Sequence, residues 1–379
     1  MSPFLTRERF GSAQFIAGII LLAFLGQCVW FSSRVPLSDR EVAFVLQGQR
    51  EWRLGEISFH DQVSPMTGLL ASLPLLGSHP GSGDTLPPSW HWLARLPFML
   101  IGMLFGASIW YVARRLYGNI AGYIALILYA FSPWFIIHSA MVQPEVVAGW
   151  AAFGIVFTAI GVSHTLYAPR EVILWNWRRI LLLGTAIGVG GAAQPAVVVV
   201  VPIALGFMWY LVPERGSAAT VILLGACVVG AIVDWAAYAF HFSALWYGLA
   251  HSHVFQFSPA SYTAPITWSW IVTFFVRQQA TATALLLLSL VTFAAWKRVR
   301  FFGTAAPLIV CGVLLLIGIG MPTQGSLPFY LILLPFAFVF IAGVVTDLLE
   351  SRFSAIALGV VLGVLAGHIF ISVSGLLRM

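Results

Sequence analysis

The stretch FGSAQFIAGIILLAFLGQCVWF at residues 10–31, running on into SSRVPLSDREVAF at 32–44, decides how this chain folds. Its first part carries no charge and matches the about 20 apolar residues a helix needs to cross hydrocarbon. Arg7, Glu8 and Arg9 precede it and no small-residue cleavage site follows, so it reads as a retained first helix and not a leader. The second part turns polar at once and places Asp39, Arg40 and Glu41 just beyond the membrane boundary.

The same pattern recurs along the chain. Apolar segments fall at 10–31, 91–113, 120–138, 144–166, 180–194, 196–212, 218–238, 281–296, 302–320, 328–346 and 353–375. That predicts an all-α polytopic membrane protein with about eleven spans. Residues 180–212 are too long for one span and short for two, and Gln194-Pro195 at their middle leaves a hairpin, a broken helix and a tilted helix open. Composition agrees, because only 8% of the 379 residues are charged and 60% are hydrophobic. A soluble domain carries about 25% charged residues, so lipid must be the solvent for most of this surface.

The formal net charge of +6 does not make a nucleic-acid face, because Lys and Arg cluster between apolar segments. With the N-terminus cytoplasmic, eleven spans put Arg114-Arg115, Arg170, Arg178-Arg179, Arg215, Lys297-Arg298 with Arg300, and Arg352 on the cytoplasmic side, as the positive-inside rule requires. The outer side then receives the long loops 32–90 and 239–280. Within the first, Asp39–Trp52 has the spacing of an amphipathic interfacial helix, and 77–88 reads as exposed coil. The chain reads as one transmembrane domain, 1–379, with no C-terminal soluble domain.

The residues that could carry chemistry gather on that outer side. Asp39 or Glu41 has the character of a base toward a substrate hydroxyl, and Asp39 has also the position of a helix cap. Glu145 opens the next outward-starting helix after Pro144, near His138 and Gln143, where an acid is favoured by the unpaired amides alone or serves a site. Arg95 and Arg277 have the forked donors that bind phosphate, or the stems that snorkel as anchors. Asp234, near the end of a span, is costly there unless paired, which marks it as a candidate. His60 and His253 stand in the outer loops as binding candidates; His251-Ser-His253 lacks the spacing of a zinc helix. Cys28, Cys227 and Cys311 lie singly in apolar runs and form neither a disulfide framework nor a thiolate site. No cofactor is implied, although a divalent metal remains open. No nucleotide-binding or hydrolase motif is complete.

Several short motifs resemble the GT-C superfamily of integral membrane glycosyltransferases, in the branch of dolichyl-phosphate-mannose protein mannosyltransferases and aminoarabinose transferases. They are Pro36-Leu-Ser-Asp39-Arg-Glu41-Val-Ala-Phe44, Ser64–Leu73, Ala113-Arg-Arg-Leu-Tyr-Gly118, Ala130-Phe-Ser-Pro-Trp134, His138–Glu145 and Pro328–Pro335. The resemblance implies a GT-C-like bundle with interfacial helices in its first outer loop. It implies transfer of a sugar from a polyprenyl-phosphate donor to an acceptor at the outer face of a bacterial inner membrane. Asp39 or Glu41 would be the catalytic carboxylate and Glu145 the second acidic position. Where relatives have adjacent acids this chain inserts Arg40; it carries Gln194 at an expected basic position and lacks a base near Ser326-Leu327. Those departures leave a second class, a noncatalytic subunit that binds other membrane proteins. A secondary transporter is a third, and it would not explain why the site candidates share one face.

Overall fold

A computed structural model describes residues 11–55, 64–77, 88–167, 177–252, 257–321, 323–351 and 354–378. Among them the regular structure is helical throughout. The helices are α1 (Ser12–Arg34), α2 (Asp39–Leu54), α3 (Pro65–Ser72), α4 (Pro88–Tyr117), α5 (Asn119–Ala130), α6 (Pro133–Ala140), α7 (Pro144–Thr165) and α8 (Trp177–Ala193). They continue as α9 (Val200–Leu211), α10 (Gly216–Ala237), α11 (Phe242–Ala250), α12 (Pro265–Val272), α13 (Ala280–Ala295), α14 (Phe302–Gly320), α15 (Thr323–Leu349) and α16 (Ser354–Arg378).

Every expected apolar segment is helical, but the expected count of about eleven spans is not reached. Among the described residues, seven helices are long and apolar enough to cross a membrane, or up to nine if two bent pairs each make one span. The shortfall lies in 180–212. There Gln194 takes an extended backbone and splits the run into α8, 17 residues long, and a short helix over Pro195–Leu211. Pro195 supplies no N–H and forces its predecessor out of helical geometry, which explains the break.

The spans wrap around α15. Its side chains from Phe329 to Val345 are almost wholly buried, whereas α1, α10 and α16 present apolar side chains such as Leu22, Val228 and Phe370 outward. Outward-facing Leu, Val and Phe at such density belong against lipid. Rings of Phe24, Phe105, Tyr129, Phe135 and Phe153 pack edge to face or tilted, with centroids 4.6 to 5.9 Å apart, and join α1, α4, α5, α6 and α7 into one core.

Both bent pairs have identifiable causes. Pro133 ends α5 and turns α6 away by 62°, leaving Ser132 extended. The carbonyls this break releases find side-chain donors from other helices: Gln27 of α1 donates to Ala130 at 3.2 Å, and His368 Nε2 of α16 lies 3.2 Å from the Leu128 oxygen. Irregular backbone at membrane depth survives only with such partners or beside a cavity. The second pair joins Pro265–Gln278 to α13 at 100°, with a π-helical turn over Thr273–Gln278. The last third of the expected outer loop 239–280 is thus helical and forms one arm of a bent helix pair.

The two breaks meet. Ser132 donates to Gln279 Oε1 at 3.3 Å, and Trp134 Nε1 donates to Gln278 Oε1 at 2.9 Å. At the far ends of α1 and α4, the segment 32–90 holds the expected amphipathic helix as α2 and adds α3. The two cross where Gly48 meets Gly68, so closely that a Cβ on Gly48 would run into the Gly68 carbonyl. Of the expected coil at 77–88, residues 78–87 lie outside the described set.

Candidate functional site

The site is organised by one buried ion pair. Ser38 caps α2 with a reciprocal box: its hydroxyl accepts from the Glu41 N–H at 3.3 Å, and its own N–H donates to Glu41 Oε2 at 2.9 Å. That turns the Glu41 carboxylate inward to Arg95 of α4. Arg95 Nε and Nη2 donate to the two carboxylate oxygens at 2.9 Å each, a fork-on-fork pair. Nη1 donates to the carbonyls of Ser32 and Val35 at 3.0 and 2.7 Å, and Nη2 also to Pro36 at 3.0 Å. All five guanidinium N–H groups are therefore used. Arg95 is fully buried, which removes it from the expected roles of outward phosphate ligand or lipid anchor.

Glu41 is equally committed. Its Oε1 also accepts from the Val142 N–H at 2.9 Å. Burial by itself would raise this carboxyl, but the bonds from Arg95, Ser38 and Val142 outweigh it and hold it below the ordinary carboxylate range. A carboxylate saturated in this way is a poor proton acceptor. Its neighbour Asp39 differs: it is exposed and has no hydrogen-bond partner among the described residues. Two positions along a helix are about 200° around its axis, so Asp39 faces away from the side that Glu41 buries.

The Val142 bond fixes where α2 begins relative to α7. It pins the turn 141–143, and Pro144 and Glu145 follow as the first residues of α7. Glu145 is half-buried; its Oε2 has no partner among the described residues, nor does Oε1 of Gln143. The charge of Glu145 acts on His138 at the end of α6. His138 is buried, stacks on Trp134 with centroids 4.7 Å apart, and shares a 2.8 Å hydrogen bond between Nδ1 and the Trp134 carbonyl. Glu41, Arg95, Glu145 and His138, expected at one level from sequence, are thus linked through the 141–143 turn.

Arg277 reaches this assembly by another route. It lies exposed in the π-helical turn, beside Gln278 and Gln279, which bond to Trp134 and Ser132. Gln279 is buried at the N-cap of α13, and its Nε2 has no partner among the described residues. Gln278 and Gln279 escaped sequence reading because glutamine beside an apolar run carries no motif, and Trp134 enters there only through the Ala130–Trp134 resemblance.

Asp234 stands apart, near the end of α10. Its Oδ2 lies 3.7 Å from where a Cβ on Gly191 would sit, and both it and Glu51 act on Tyr238. Glu51 of α2 is buried with Oε2 unpartnered among the described residues, and burial pushes its carboxyl up to about 7 despite the Gln47 bond that opposes this. The spacing 41, 44, 48, 51 puts Glu51 on the buried face of α2, a signal present in the sequence but unused. His60 and His253 lie outside the described residues. Among the described residues no three His, Cys, Asp or Glu side chains come together as a metal group.

Residues 88–234 match the family model described as dolichyl-phosphate-mannose-protein mannosyltransferase. No curated protein matches the chain in sequence. Among solved structures the chain is similar to ArnT from Cupriavidus metallidurans bound to undecaprenyl phosphate, with a TM-score of 0.65 and 13% identity, over 93% of this chain and 63% of that one. It is also similar to the oligosaccharyltransferase AglB from Archaeoglobus fulgidus in complex with an inhibitory peptide and a dolichol-phosphate. There the TM-score is 0.64 at 12% identity, over 96% of this chain and 56% of that one. The chain thus spans less than two thirds of either protein, and the likeness is one of fold. On the backbone match over nearly its whole length, this chain, with its long apolar helices, has the fold shared by ArnT and AglB.

Proposed function

We propose that this chain transfers a glycosyl unit from a polyprenyl-phosphate donor to an acceptor hydroxyl at the membrane face that carries α2, the outward face of a bacterial inner membrane. The observation that carries the reading is the Arg95–Glu41–Val142 linkage. It sets a free carboxylate, Asp39, on the same capped helix that is pinned to the turn before Glu145. Arg277, with the Gln279 amide at the N-terminus of α13, supplies donors for the phosphate. The lipid phosphates held by ArnT and AglB support that class of donor.

In this reaction the acceptor oxygen bonds to the anomeric carbon as the bond from that carbon to the phosphate oxygen breaks. The proton passes to Asp39 and the electron pair leaves on the polyprenyl phosphate, so the anomeric centre inverts. Phosphate is a good leaving group, and positioning with electrostatic stabilisation does most of the work. A lipid-borne donor removes the need for a nucleotide-sugar domain.

The test is turnover by the purified protein in lipid with a series of polyprenyl-phosphate sugars. Transfer by the wild type, abolished in Asp39→Asn and reduced in Glu145→Gln with folding retained, supports the reading. No transfer with any donor, together with stable copurification of another membrane protein, replaces it with a noncatalytic subunit.

A further inference from the structure

His138 is held in a way that fixes which of its nitrogens is free. A backbone carbonyl only accepts, so the 2.8 Å contact to the Trp134 oxygen places the proton of the neutral ring on Nδ1. Nε2 then carries a lone pair and has no hydrogen-bond partner among the described residues, in a residue that is 7% exposed overall. The ring cannot easily turn to exchange the two nitrogens. It is stacked on Trp134 with an interplanar angle of 24°, and the Trp134 indole is tied by its own N–H to Gln278.

The position is as informative as the tautomer. Through Trp134 and Gln278 the imidazole is joined to the turn that carries Arg277, and the charge of Glu145 acts on it. It is therefore tied to the turn that carries the phosphate donors and lies within electrostatic reach of the acid that opens α7. A phosphate oxygen at neutral pH has no proton to give, so a neutral Nε2 would repel it.

From this geometry we infer that His138 Nε2 is a positioning acceptor for a hydroxyl of the transferred sugar, and that the donor class is a glycosyl unit with a free hydroxyl near its anomeric carbon. The inference rests on the glycosyl-transfer reading. A buried site built to accept a hydroxyl proton discriminates strongly against an analogue that lacks it. His138 holds the sugar between leaving group and base and takes no part in bond breaking.

The experiment uses the full chain, labelled with 15N-histidine, in lipid nanodiscs, with the His138 resonances assigned by their loss in His138→Gln. The apo protein should show a protonated Nδ1 and a bare Nε2; the reverse tautomer overturns the inference without any ligand. A polyprenyl-phosphate hexose should shift Nε2, and polyprenyl phosphate alone should not. Equal shifts from both place the ring at the phosphate and overturn it. In turnover, His138→Ala should raise KM for the hexose donor about 10-fold, the equivalent of one lost hydrogen bond, with kcat less affected. His138→Gln, whose amide oxygen can still accept, should recover part of that. Wild-type turnover with unchanged KM in His138→Ala sinks this inference alone. Absence of donor binding and turnover in the wild type sinks the transfer reading and this inference with it.

Discussion

Arg95 and Glu41 face each other fork to fork, 54 residues apart in sequence, with every guanidinium N–H bonded and both carboxylate oxygens shared with the backbone of Ser38 and Val142. The pair ties the end of α1, the start of α2 and the turn before α7 to α4. Removing either partner leaves the other buried and unpaired.

Arg95→Ala and Glu41→Ala should each destabilise the protein by about 3–5 kcal/mol, and Arg95→Lys should fail to restore it, because an ammonium cannot reproduce the planar fork. Thermal unfolding in a defined detergent measures this. Because the Glu41 carboxyl is held low, its contribution is present above the ordinary carboxylate pKa and disappears as pH falls through the folded value.

Glu51 should behave in the opposite sense. Its carboxyl is raised to about 7, so the stability of its neutral, buried form is present in acid and is lost as pH rises through about 7. Unfolding midpoints measured from pH 4 to 9 should fall between the ordinary carboxylate pKa and about 7 and level off above it in the wild type, and fall less in Glu51→Gln. Identical profiles would mean that Glu51 is ionised throughout.

Gly48→Ala tests how α2 is seated. Its new methyl meets the Gly68 carbonyl, and overpacking of this kind costs about 1–3 kcal/mol. Hydrogen exchange should quicken in α2 and α3 while α15 stays protected. Uniform loss of protection would show that the α2–α3 crossing is not a local unit.

Arg277→Lys and Gln279→Ala should each weaken binding of a polyprenyl phosphate in lipid about 10-fold, the first by loss of the forked geometry and the second by loss of a buried donor. Titration with the lipid phosphate alone separates this from any effect on sugar recognition.

Much of the architecture was legible because hydrocarbon demands long uncharged runs, and these sit in the sequence where the helices sit. The bends were not, nor was the arm over 265–278. Arg277, Gln278 and Gln279 lower the local hydropathy and made 265–280 look like loop, while the bonds that let this arm lie against α6 come from Ser132 and Trp134, far away in sequence. Likewise the acids of 39–41 were visible as a pair, but only the contact with Arg95 distinguishes them. Sequence periodicity shows which face of a helix is buried; it does not show that an arginine on another helix will saturate one acid and leave the other free.

A paired measurement on Asp39→Asn and Glu41→Gln tests that one acid is free and the other saturated. Single-turnover transfer and thermal midpoint are recorded for both. The expected pattern is a loss of about 10²-fold or more in rate with an unchanged midpoint for Asp39→Asn, and a lowered midpoint for Glu41→Gln. A stable Glu41→Gln protein without transfer, beside an Asp39→Asn protein that still transfers at the wild-type rate, would contradict it.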